Sequence, residues 1–249
     1  MTAVGLLHPG EMGSALGDAL LESGHRVLWA SEGRSDETAA RARAFEDMGS
    51  AREVARAAEI VISVCPPHAA REVAASMDGF EGIYVDANAI SPATAREIGG
   101  VDGGIVGPPP RDGATARLYL SGPSAKSVAE LFAGTAVEPR VLGDEVGTAS
   151  AMKMSFAAWS KGTAAMLLTI AKLAEKHGVD APLFDEWRAW HPELLDDLER
   201  AGRSADRKGW RWVGEMEEIA DTFAAAGLPD GFHRAAADVF RGFDRPGSS

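Results

Sequence analysis

The chain is poor in cysteine, in cationic side chains and in long apolar runs, and each shortage narrows what it can be. One cysteine, Cys65, stands among 249 residues. No disulfide can form within the chain, which suits a reducing cytoplasm. Lys plus Arg number 25 against 37 Asp plus Glu, a net charge of −12. A general nucleic-acid binder needs a surface that neutralises phosphates, so no nucleic-acid partner is expected. A local basic pocket for an anionic cofactor remains compatible with that charge. No apolar run reaches the roughly 18 residues that cross a bilayer. The N-terminus lacks a basic region followed by an apolar core, so neither membrane association nor export is expected. No internal repeat interrupts the chain, no metal site is expected, and the tail Arg245-Pro246-Gly247-Ser248-Ser249 is expected to fray.

What is present is ordinary for a globular protein: 45% apolar and 25% charged residues, at a length that allows one large domain or two ordinary ones. The most informative stretch is the first. Val4, Leu6 and Leu7 form a short apolar run suited to a buried parallel strand. The turn His8-Pro9-Gly10-Glu11-Met12-Gly13 follows, then a helical pattern over 14–23, a glycine stop at Gly24 and a second strand over 25–30. Strand, glycine turn, helix and strand make the first half of a dinucleotide-binding unit, with the helix N-terminus aimed at a pyrophosphate. The usual G-x-G-x-x-G is incomplete, because His8 occupies the first glycine position. An ordinary strand-to-helix turn is the competing explanation.

After the second strand come Ser31, Glu32, Gly33, Arg34 and Ser35, where such a fold meets the adenosine ribose. Glu32 suits the free hydroxyl of NAD. Ser31, Arg34 and Ser35 look more like a cradle for the 2′-phosphate of NADP. NADP(H) is favoured, with NAD(H) possible and a solvated Arg34 as the plain alternative. Residues 59–65 read as a buried strand ended by Pro66 and Pro67, a rigid loop at a strand's carboxyl end, where parallel sheets bind ligands. Cys65 reads as a small buried residue rather than a nucleophile. Residues 83–86 form another strand, after which Asn88 would face the crevice and Ser91-Pro92 would open a helix. The loop from Gly107 to Gly113, with three prolines and Arg111, is either a holder for a small anionic group or a structural connection.

Beyond Asp144 no strand pattern follows. Residues 145–177 read as one helix about 50 Å long. Its apolar residues lie all round, which predicts a buried spine. Further helices are expected over 182–200, 204–226 and 230–243. The expected architecture is a Rossmann domain, a doubly wound and mostly parallel sheet, over 1–144, followed by an all-helical domain over 145–249. Five of the six tryptophans fall between Trp159 and Trp212, read as packing and subunit-contact residues, so a homodimer through the helical part is expected. Lys153 lies among Met152, Met154 and Phe156. Apolar surroundings would make its proton exchangeable near neutrality, whereas a snorkelling lysine is the plain alternative. Ser160 and Lys161 share its helix face.

These features together resemble the β-hydroxyacid dehydrogenase and 6-phosphogluconate dehydrogenase-like superfamily, which includes imine reductases. Gly10-x-Met12-Gly13 looks like its cofactor turn. Val85-Asp86-Ala87-Asn88-Ala89-Ile90-Ser91-Pro92 looks like its V-D-x-S-T-x-S-P segment, with Asn88 for the serine, and 147–153 looks like the helix start that carries its catalytic lysine. The helical part looks like a compact, divergent variant. The resemblance implies an NADP(H)-dependent oxidoreductase acting on a small carbonyl or hydroxy compound. Lys153 would be its acid–base group, Asn88 would orient the substrate or nicotinamide ribose, and the substrate would lie between the cofactor domain and the long helix. Imine reduction and a non-catalytic dinucleotide sensor are the alternatives. Two departures, the three-proline loop and the absence of an asparagine one turn after the lysine, argue for a less polar or differently shaped substrate.

Overall fold

A computed structural model describes residues 1–244; the tail expected to fray, 245–249, lies outside the described residues. The chain forms two compact units, 1–153 and 154–249. The first holds an eight-stranded sheet ordered β3-β2-β1-β4-β5-β6-β7-β8. Its strands are β1 (Ala3–Leu6), β2 (Arg26–Trp29), β3 (Glu46–Asp47), β4 (Ile60–Ser63), β5 (Ile83–Asp86), β6 (Val101–Val106), β7 (Ala116–Ser121) and β8 (Val137–Gly143). The pairs from β3 through β6 are parallel, β6 and β7 are antiparallel, and β7 and β8 are parallel. This is the expected doubly wound sheet, and its strand order reverses between β1 and β4.

Both faces of the sheet are buried, which is why its strands read as apolar runs rather than alternating ones. Val4 and Leu6 of β1 pack on one side with Leu16, Ala19 and Leu20 of helix α1 (Glu11–Glu22). Ala3 and Leu7 pack on the other with Val54 of α3 (Ala51–Ala57) and Met77. Gly5 of β1 permits that second contact, since a Cβ there would lie 2.5 Å from Val54 Cγ1. Helix α1 begins at Glu11, three residues earlier than the spacing suggests, so the glycine turn is tighter than expected. The remaining helices of this unit are α2 (Asp36–Arg41), α4 (Ala70–Ala75), α5 (Pro92–Ile98) and α6 (Ala125–Glu130). Ser50 and Ser91 cap α3 and α5, each accepting from the backbone N–H three residues on.

Helix α7 (Thr148–His177) starts in the first unit and its later turns belong to the second, with α8 (Asp180–Trp190), α9 (Glu193–Ala225) and α10 (Gly231–Phe240). Two expectations fail here. The break expected between 200 and 204 does not exist; the helix breaks at His191-Pro192 and then runs unbroken for 33 residues. Proline restricts the residue before it and has no N–H to donate, whereas Gly202 costs a helix only about 1 kcal/mol. Nor is α7 buried all round. Met154, Ala157, Ala165 and Ala171 are buried, while Trp159 is 75% exposed and Phe156, Met166 and Leu173 are also exposed. Within α9, Ala201, Ala205, Trp212, Met216 and Ile219 recur at helical spacing. Trp212 meets Phe240 of α10 edge to face, centroids 4.9 Å apart. Among the described residues, no helix is long and apolar enough to cross a membrane.

Candidate functional site

The candidate crevice lies at the carboxyl ends of β1 and β4, where the strand order reverses. Gly10 is the residue before α1, in an extended conformation, and a Cβ there would meet nothing within 4 Å. The Gly10 position is therefore uncrowded on its side-chain side, next to the first helical N–H groups, which have no partners in their own helix. Gly13 has the opposite role. A Cβ on it would lie 2.2 Å from the His8 carbonyl oxygen, so only glycine lets the first turn of α1 pack on the end of β1. Ser14 Oγ donates to the Gly10 carbonyl at 2.6 Å and fixes the turn from below.

His8 projects from the end of β1 as a partly buried imidazole. Its Nδ1 is buried and has no hydrogen-bond partner. Burial, assisted by the positive charge of Arg34, holds its pKa down at about 4, so it is neutral at pH 7. Arg34 comes from the loop after β2, and its Nε is likewise buried without a partner. Desolvation lowers the Arg34 pKa from its ordinary value. Its charge acts on His8 and on Cys65, which puts the guanidinium toward the ends of β1 and β4. The other members of the expected phosphate cradle are engaged locally. Ser31 hydrogen-bonds Asp47, whose carboxylate also accepts from the Gly49 N–H at 2.8 Å. Ser35 Oγ caps α2 by accepting from the Thr38 N–H at 3.3 Å.

On the β4 side, Cys65 is partly buried; burial pushes its thiol up to about 11, so it is not a thiolate at neutral pH. The Cys65 N–H donates to Asn88 Oδ1 at 2.5 Å. Asn88 is 3% exposed, and its Nδ2 donates to Asp86 Oδ2 at 2.9 Å and to Ser63 Oγ at 3.2 Å. The amide thus pins the loop containing Pro66 and Pro67 to the end of β5. Pro9 is buried, Met12 is partly buried, and Glu11 and Pro66 are exposed.

The start of α7 is held by a residue that pattern reading missed. Asp102 on β6 is 1% exposed. Its Oδ2 accepts from the Gly147 and Ser150 N–H groups, each at 2.9 Å, and from Ser121 Oγ at 3.0 Å. Its Oδ1 accepts from Ser150 Oγ at 2.5 Å. A carboxylate at a helix start meets orphan donors and the positive end of the dipole. Gly104, two residues on, lets the helix close on the strand: a Cβ there would lie 2.9 Å from Lys153 Cβ. Lys153 Nζ then donates to the Ile105 carbonyl at 2.7 Å. Because β6 is parallel to β5, this ammonium group stands at the same edge of the sheet as the crevice. Lys161, expected on the same helix face, is in the second unit, ion-paired with Glu215 and 6.0 Å from the Trp212 ring centre. Ser160 there is exposed.

The three-proline loop is anchored rather than open. Arg111 donates through Nε and Nη2 to Asp18 Oδ2 on α1, at 3.1 and 2.7 Å, and through Nη2 to Ser14 Oγ at 2.9 Å. Its guanidinium is therefore committed to a carboxylate, against the reading of this loop as an anion holder.

An open helix N-terminus, a glycine that admits close packing and two orphaned polar nitrogens fit a dinucleotide phosphate. The comparisons agree. Residues 3–89 match the family described as NADP oxidoreductase, coenzyme F420-dependent, and residues 174–243 match a domain of unknown function, DUF1932. An uncharacterized 28.5 kDa protein of Methanothermus fervidus is 31% identical over 156 residues, 59% of this chain and 57% of that protein, so the match spans little more than half of that relative's length. Among solved structures, a conserved protein of unknown function with structural similarity to 3-hydroxyacid dehydrogenases is 29% identical, with 96% of each chain covered and a TM-score of 0.70. The 3-hydroxyisobutyrate dehydrogenase of Mycobacterium tuberculosis shares the fold, at 21% identity, a TM-score of 0.72, and coverage of 97% of this chain and 93% of that one. The fold and crevice are similar to those of NAD(P)-binding dehydrogenases. The likeness to 3-hydroxyacid dehydrogenases is one of fold, and the likeness to an NADP oxidoreductase family lies in residues 3–89.

Proposed function

We propose that the chain is an NADP(H)-dependent oxidoreductase acting on a small carbonyl or hydroxy compound, with Lys153 as its acid–base group. The observation that carries this reading is Lys153 Nζ held on the Ile105 carbonyl at the crevice edge of the sheet. The dinucleotide, when bound, supplies or accepts the hydride. The chain's residues do the rest. Gly10, Gly13 and the first turn of α1 take the pyrophosphate. Arg34 is the cation available to a ligand phosphate in the loop after β2 and supports NADP(H) over NAD(H). Asn88 fixes the wall at the end of β5. Lys153 gives the proton from Nζ to the substrate oxygen in reduction and takes it back in oxidation.

The test is Lys153→Met, assayed for hydride exchange against a panel of keto acids and ketones, beside titrations with NADPH and NADH. Turnover should fall roughly 10²–10⁴-fold while dinucleotide affinity changes little. Full turnover in the variant overturns the assignment, and tighter binding of NADH than NADPH overturns the cofactor preference. We also infer a homodimer in a reducing cytoplasm, built on the helical unit, where Trp159, Met166 and Leu173 recur every seven residues on α7 and are exposed. A monomer by light scattering counts against the dimer.

A further inference from the structure

His8 stands where the glycine turn ordinarily carries no side chain, and its Nδ1 is buried without a partner. Leaving a buried polar nitrogen unpaired costs about 1–3 kcal/mol, so such an atom calls for an explanation. His8 lies in the same tight turn as the start of α1, its carbonyl accepting from the Gly10 N–H at 2.8 Å, so a ligand on that helix start is a candidate partner. Arg34 is the charged group acting directly on His8. Cys65, at the end of β4, acts on Arg34, and its thiol is neutral near pH 7. Glu11, in the first turn of α1, and Glu32, in the loop after β2, are exposed.

We propose that His8 takes up a proton from solvent when a dinucleotide binds, so that its imidazolium becomes a charged hydrogen-bond donor to the pyrophosphate. This rests on the dinucleotide reading above and adds a linkage to it. Two changes act in the same direction. The arriving phosphates place negative charge beside an imidazole that is neutral in the free protein. They also neutralise the Arg34 charge, which opposes protonation. With the proton in place, the orphaned nitrogen gains an anionic partner. Affinity for the dinucleotide therefore rises as pH falls through the range in which the bound form holds the proton and the free form does not.

Calorimetric titration with NAD+ and NADP+ near pH 6, in two buffers of different ionisation enthalpy, counts the protons taken up. NAD+ has no 2′-phosphate, so its count carries no contribution from that group's own titration. The wild type should take up a large fraction of a proton, and its affinity should rise several-fold between pH 7.5 and 5.5. Both His8→Asn and His8→Gly, the latter restoring the missing glycine, should lose the uptake. A histidine ring NMR titration of the wild type, with and without saturating NAD+, provides a second readout that needs no variant. One resonance should shift its midpoint upward by about two pH units or more, from about 4 in the free protein to about 6 or above. Binding with the same proton count in wild type and variants, or no midpoint shift, overturns the inference alone. Failure to bind either dinucleotide overturns the underlying reading and the inference with it.

Discussion

Arg111 and Asp18 lie 93 residues apart in the chain and are joined by two hydrogen bonds, at 3.1 and 2.7 Å. The same guanidinium reaches Ser14, whose hydroxyl donates to the Gly10 carbonyl. A continuous line of polar contacts thus runs from the three-proline loop to the glycine turn. The pair is more than one-third exposed on each side, so it contributes little to global stability, at most about 1 kcal/mol. Its consequence is positional. Arg111→Met should lower the melting temperature by only a few degrees while raising amide exchange over 107–113. The charge swap Arg111→Asp with Asp18→Arg should restore protection of the loop. Unchanged exchange in the single variant would contradict the anchor.

Asp102 holds the start of α7 with four accepted hydrogen bonds from buried groups. Asp102→Ala leaves the Gly147 and Ser150 donors stranded in a buried setting, and should cost about 2–4 kcal/mol. A denaturant melt measures this. Asp102→Asn keeps one acceptor and should fall between. Because Lys153 sits one turn beyond Ser150, both variants should also slow turnover more than Arg111→Met does.

The two glycines of the turn make a matched pair. Gly13→Ala places a methyl 2.2 Å from the His8 carbonyl oxygen, so α1 must shift away from β1; stability and dinucleotide affinity should both drop. Gly10→Ala meets nothing within 4 Å and should fold normally. An affinity loss in Gly10→Ala with an unchanged melting temperature reports ligand volume above the turn, read by fluorescence titration beside a thermal melt.

Histidines give stability a sign with pH. His233 is 8% exposed, its Nδ1 has no partner, and its ring lies 4.3 Å from that of Phe223. Burial holds its pKa below the ordinary 6.5, and His8 is lowered likewise, to about 4. The unfolded chain thus binds more protons than the folded one just below pH 6.5. Stability present above that value is lost as pH falls through the folded-state values. Melting temperatures should decline from pH 7.5 to 5, and less steeply in His233→Phe. An identical slope in the variant would show that His233 does not contribute.

Much of this molecule is readable from spacing alone. Apolar runs of four residues announce strands buried on both faces, as Val4 and Leu6 against Ala3 and Leu7 illustrate. Serines three residues before a helical N–H announce caps. A glycine at position 13 announces close helix packing. These are local properties of covalent geometry and side-chain volume, and the chain carries them in any fold. The helical half was less legible. Pro192 ends α8 at His191, whereas the spacing predicts a break between 200 and 204, and α7 buries only one stripe of its apolar surface, because apolar content does not say which side finds a neighbour.

By itself the sequence determined the strand–turn–helix order, the place of the glycine turn and the lysine at a helix start. Tertiary structure alone decided that Asp102 would hold that helix, that Arg111 would spend its charge on Asp18, and that Arg34 would turn toward His8. Each pairing joins residues 26 to 93 positions apart. No local rule ranks one distant partner over another; only the packing of both sheet faces brings these side chains within reach and removes the water that would otherwise satisfy them.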